Sequence, residues 1–86
     1  MKNLTKQAVQ TAAETLMRQN GQTTTLEVKN ALRNQGYFAT QAAVSESMDE
    51  LSTELPWEYD PTGPFRIYRL KDDLDKQILN LLFSAN

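Results

Sequence analysis

The side chains that could act as nucleophiles in this 86-residue chain are the hydroxyls of Ser45, Ser47, Ser52 and Ser84, since there is no cysteine. A serine attacks only when a neighbouring base takes its proton, and the chain has no histidine to do so. The few lysines fall on the expected solvent faces of helices. Asp72 and Asp73 are adjacent acids that could hold a metal loosely. At the start of a helix, such a pair more commonly meets the positive end of the helix dipole. Gly21, Gly36 and Gly63 each stand alone at a turn, so no glycine-rich loop exists to cradle a phosphate. The expected protein is not an enzyme, and it needs neither a metal nor an organic cofactor.

The remaining chemistry is hydrogen bonding and charge. TQAAVSESMDELSTEL, residues 40 to 55, carries Glu46, Asp49, Glu50 and Glu54 and no Lys or Arg, so it sums to −4 within a chain of net charge −2. The rest of the chain therefore sums to −2 − (−4) = +2, with Lys2, Lys6, Arg18, Lys29, Arg33, Arg66 and Arg69 scattered along it. Lys29 and Arg33 lie four apart and share one helix face. With no global attraction to a polyanion, nucleic-acid binding would have to come from a local patch.

These residues must be positioned by short elements. Leu4, Ala8, Ala12 and Leu16 recur at helical spacing, widened by Val9, Ala13 and Met17, and predict an amphipathic helix from Leu4 to about Gln19 closed by Asn20-Gly21. The β-branched run TTT favours an extended segment. Thr24 and Glu27 have capping-box spacing, which starts a second helix near Thr25, with Leu26 or Val28, then Ala31 and Leu32, on its buried side and Gly36 at its end. Tyr37 and Phe38 are expected to pack at the following corner. Thr40 caps a third helix on Val44, Met48, Leu51 and Leu55, which Pro56 stops.

From Trp57 the period changes. WEYD and FRIYRL read as strands around the turn PTGP, a hairpin centred near Thr62-Gly63. Tyr37, Phe38, Trp57, Tyr59, Phe65 and Tyr68 are expected mainly to pack against the core, with stacking on bases as the other use of such rings. KDDLDKQILNLLFSAN, residues 71 to 86, predicts a closing helix. Leu74, Ile78, Leu81 and Leu82 fill its inner stripe, leaving Leu79 and Phe83 off that face. They would meet in a twofold dimer or fold back on the first helix.

Eighty-six residues suffice for one core in one domain spanning residues 1–86, and the 40% hydrophobic content argues against disorder. MKNLTKQAVQ has no apolar run of signal-peptide length, and no stretch approaches the roughly 20 apolar residues of a membrane span. A cytoplasmic protein without membrane contact is expected.

Taken in order, TTTLEV, the turn NQGYFATQ, the helix AAVSESMDEL and the hairpin WEYDPTGPFRIYRL resemble the winged helix-turn-helix, an α+β and mostly α fold. The other possibility is an α+β domain with the same elements in a different packing. The resemblance implies that the helix after Thr40 enters a DNA groove, offering its N-terminal residues to base edges. Thr40, Gln41 and Ser45 would then face the groove, with Gln41 chemically suited to adenine, while Lys29, Arg33, Arg66 and Arg69 hold phosphates. Double-stranded DNA would be bound weakly, because Glu46 and Asp49 repel the backbone and few cations offset them. The alternative is a winged helix whose acidic third helix docks on a basic protein partner.

Overall fold

The computed structural model describes residues 1–71. They form an α+β unit, mostly helical: β1 (Lys2–Asn3), α1 (Lys6–Asn20), β2 (Thr23–Thr24), α2 (Thr25–Asn34), β3 (Tyr37–Phe38), α3 (Gln41–Glu54), β4 (Trp57–Asp60) and β5 (Ile67–Leu70). Apart from Lys71, the predicted helix over 71 to 86, Leu79 and Phe83 included, lies outside the described residues.

Threonine starts all three helices, because its hydroxyl can accept from an amide that the first turn leaves unpaired. Thr5 accepts from the Ala8 N–H at 3.0 Å, Thr24 from Glu27 at 3.3 Å and Thr40 from Ala43 at 3.2 Å. The Thr24 hydroxyl also lies 3.2 Å from the Glu27 carboxylate, to which it donates, so the expected capping pair is present. Gly21 ends α1 at φ +81°, a left-handed conformation that costs glycine nothing, and its N–H donates to the Met17 carbonyl at 2.8 Å.

β4 and β5 pair antiparallel with Trp57 opposite Leu70 and Tyr59 opposite Tyr68. On its other side β5 pairs with β2, setting Thr23 opposite Tyr68, so the sheet runs β2-β5-β4. The strands reach only to Asp60 and Ile67, leaving Phe65 and Arg66 in the turn rather than in the predicted strand.

The helices and sheet close over a core of Val9, Ala13, Met17, Val28, Leu32, Val44, Met48, Leu51 and Tyr68. On α1 the buried centre falls on Val9, Ala13 and Met17, whereas Leu4, Ala8 and Leu16 are only partly covered. Ala12 is buried as well, so the buried face lies within the predicted stripe but is centred on its Val9–Ala13–Met17 side, where α1 packs on α2, α3, β5 and β2 together. On α2, Val28 takes the core position and Leu26 stays 44% exposed.

One pairing was not anticipated: β1 lies parallel to β3, Lys2 opposite Tyr37 and Asn3 opposite Phe38. It corrects the reading of this corner. Successive residues of an extended segment point to opposite sides, so Tyr37 and Phe38 do not both reach the core. Tyr37 is half-buried beneath the Lys2 ammonium, 4.8 Å from the ring centroid, and Phe38 is 60% exposed.

Candidate functional site

α3 leaves the core along Val44, Met48 and Leu51. About 100° of rotation per residue turns Gln41, Ser45 and Asp49 toward the hairpin, and Glu50 and Glu54 toward α1. Both flanks carry charge contacts across long sequence separations. Toward α1, Lys6 Nζ lies 2.6 Å from Glu54 and 3.3 Å from Glu50. The hydrogen bond to Glu54 first, and that to Glu50 after the opposing cost of desolvation, hold the Lys6 ammonium protonated above the usual lysine range. Toward the hairpin, Arg66 pairs with Asp49. Its guanidinium lies 5.0 Å from the Tyr59 ring centroid and 3.4 Å from the Tyr68 hydroxyl.

The acidity of α3 is thereby halved within the chain, its −4 meeting the +2 of Lys6 and Arg66. Asp49, Glu50 and Glu54 each face a cation of another element, while Glu46 forms no ion pair with any described residue. Nothing local in the sequence signals this, since Lys6 and Glu54 are 48 positions apart.

Gln41, Ser45 and Arg66 come together in a cleft of about 310 Å³ between the starts of α2 and α3 and the hairpin tip. Leu26 and Phe65 share this cleft; Leu26 was not among the residues expected to take part, and Phe65 was expected mainly in the core, with base stacking as its other use. Leu26 had a legible signal: once Val28 and Leu32 define the buried side of α2, the residue two before Val28 must point away from it. Phe65 had none, because its placement depends on where the β5 ladder stops.

The other expected contact residues lie elsewhere or are already engaged. The Thr40 hydroxyl caps α3 and is half-buried. Arg33 Nε donates to the Ala39 carbonyl at 2.7 Å, fastening α2 to the stretch that leads into α3. Arg33 also lines a separate cavity of about 380 Å³ with Met1, Tyr37 and Phe38. Arg69 donates to the Gln22 side chain at 3.1 Å. Lys29 is half-buried on α2 and makes no ion pair with any described residue.

Among the described residues, no group of three or more His, Cys, Asp or Glu side chains is arranged to hold a metal ion. No described helix is long and apolar enough to cross a membrane. Comparison with protein-family models, curated proteins and solved structures found no match.

Proposed function

We propose that the protein is a cytoplasmic, non-enzymatic winged helix-turn-helix module. It would bind double-stranded DNA weakly through the N-terminal edge of α3 and the β4–β5 hairpin, in regulation. The element order α1-β2-α2-α3-β4-β5 and the strand order β2-β5-β4 support the fold reading, because they put a hairpin beside the helix that would enter the groove. The observation that carries the functional reading is the convergence of Gln41, Ser45 and Arg66 in one cleft. Two of these are neutral hydrogen-bonding side chains on the first turns of α3, and the third is a cation at the hairpin.

Lys6 offsets one of the two charges of Glu50 and Glu54, which lessens the electrostatic objection to α3 approaching a phosphate backbone. What remains is Glu46 and one unmatched charge of the Glu50–Glu54 pair, together with an Arg66 whose charge is shared with Asp49, so binding should be weak, with a shallow salt dependence set by the few phosphates it can neutralise. A chemical-shift titration with duplex DNA tests the reading. Amides around Gln41, Ser45 and Arg66 should move in about 50 mM salt and move less at about 200 mM. Absence of shifts with millimolar duplex at the lower salt would refute it.

Exposed Leu26 and Phe65 favour a second reading, a winged helix that docks on a protein through the same cleft. The basic partner expected for an acidic α3 fits less well, because three of the four acids already face cations.

A further inference from the structure

Resting on the DNA reading, we infer that the α2–α3–hairpin cleft reads an A·T base pair in the major groove. Gln41 supplies the hydrogen bonds, and Leu26 with Phe65 forms an apolar wall for the thymine methyl group. The cleft carries two chemistries side by side. Gln41 is the exposed first residue of α3, and its amide offers one donor and one acceptor. Adenine presents the complementary pair, the N7 acceptor and the N6 amino donor. Guanine presents two acceptors, N7 and O6, and would set one of them against the Gln41 carbonyl oxygen.

The usual reader of guanine is an arginine fork, and Arg66 is the cation in this cleft. Its guanidinium is already held by Asp49, the Tyr68 hydroxyl and the Tyr59 ring. That leaves Gln41 as the exposed fork-like group. Leu26 at 44% exposure and Phe65 at 64% border the same space. In the major groove, the only apolar feature a base edge offers is the thymine 5-methyl group, which belongs to the partner of the adenine that Gln41 would contact. A hydrogen-bonding side chain and an apolar wall in one cleft therefore match the two halves of one base pair.

Alternating copolymers present every register of a two-base-pair repeat, so the test needs no known target. Competition binding at low salt compares poly(dA-dT), its deoxyuridine counterpart poly(dA-dU), poly(dG-dC) and poly(dI-dC). Poly(dA-dT) should bind about tenfold more tightly than poly(dG-dC), as one bidentate adenine contact implies. It should bind about fourfold more tightly than poly(dA-dU), the effect of burying one methyl group. Poly(dI-dC) keeps the guanine-like major-groove edge but an A·T-like minor groove, and should behave like poly(dG-dC). Gln41→Ala should reduce the A·T over G·C preference and keep the dT over dU ratio. Phe65→Ala with Leu26→Ala should bring the dT over dU ratio to about one and keep the A·T preference.

Poly(dI-dC) binding as tightly as poly(dA-dT) would place the readout in the minor groove and overturn the inference. So would a dT over dU ratio unchanged by the wall substitutions. Equal binding of all four polymers would overturn it while leaving DNA binding intact, and no binding to any of them would overturn both.

Discussion

At the base of the β4–β5 hairpin, Trp57 lies opposite Leu70 and both are buried, whereas at its tip Phe65 is 64% exposed. The base rests on α1, where the Trp57 indole N–H donates to Glu14 at 3.1 Å, and it has a third strand alongside, with Thr23 opposite Tyr68. Beyond Asp60 and Ile67 no described strand pairs with the hairpin, and the tip is held by its own turn bonds and by Arg66, which pairs with Asp49 of α3 across an open cleft. One hairpin thus supplies a wall of the core at one end and a wall of an open cleft at the other. Residue type alone does not separate the two roles: Trp57, Tyr68 and Phe65 are all large aromatics. What separates them is where the ladder stops.

Truncation at each end sharpens the contrast, and the base should respond most. Tyr68 is fully buried, edge-to-face with Trp57 at 6.0 Å between ring centroids, and central to the core. Tyr68→Ala should cost about 3–5 kcal/mol, the range for an aromatic removed from a packed interior, a large share of the roughly 5–15 kcal/mol that holds a domain folded. Urea denaturation measures it directly, and a loss below about 1 kcal/mol would mean that the hairpin base does not belong to the cooperative core.

Trp57→Phe comes next. It keeps an aromatic ring on the core face but removes the indole N–H, leaving Glu14 without that bond. Losing one such hydrogen bond, together with the smaller ring's reduced burial, should lower stability by about 1–2 kcal/mol. An effect equal to that of Tyr68→Ala would show that the indole contributes as packing volume and not through its bond to α1.

Much of the framework was legible because it rests on short-range chemistry. The Thr24 and Thr40 caps, Gly21 and the change of period at Trp57 are signals carried within a few residues, and each marks an element boundary, whereas α1 starts after a Thr5 cap and not at the expected Leu4. Gln41 and Ser45 were legible in the same way, as the first polar positions after a cap. The contacts that decide the site's character were not. Lys6 reaches Glu50 and Glu54, and Arg66 reaches Asp49, across 17 to 48 positions. Sequence periodicity describes which face of a helix is wet, but not which neighbour's charge comes to lie along it. For the same reason the stripe on α1 was legible but not its centre: which of its two rows lies deepest is set by α2, α3, β5 and β2 at once.

The smallest expected effect concerns how the tip holds its shape without a core beneath it. Asp60, the last residue of β4, accepts the Thr62 hydroxyl at 2.6 Å and the Thr62 N–H at 2.9 Å. These two bonds, the hydroxyl's first, and then the nearby Arg69 charge hold its carboxyl below the usual aspartate range. A carboxylate whose pKa is lowered by folding stabilises the fold above the ordinary aspartate range. That contribution fades as the pH falls through the lowered folded value. Because Asp60 is solvent-screened, the change in global stability should be slight, and the local titration is the sensitive readout. In a carboxyl carbon-13 titration, Asp60 should show a midpoint below that of an unstructured aspartate, with the Thr62 amide shift following the same curve. Thr62→Val removes the hydroxyl but keeps the amide, so the midpoint should rise toward the ordinary value without reaching it, while urea denaturation at neutral pH barely changes. An Asp60 midpoint that ignores Thr62→Val would show that the turn is not organised by this carboxylate. The position of Phe65 beside Gln41 would then depend on the Arg66 contacts with Asp49 and Tyr59 alone.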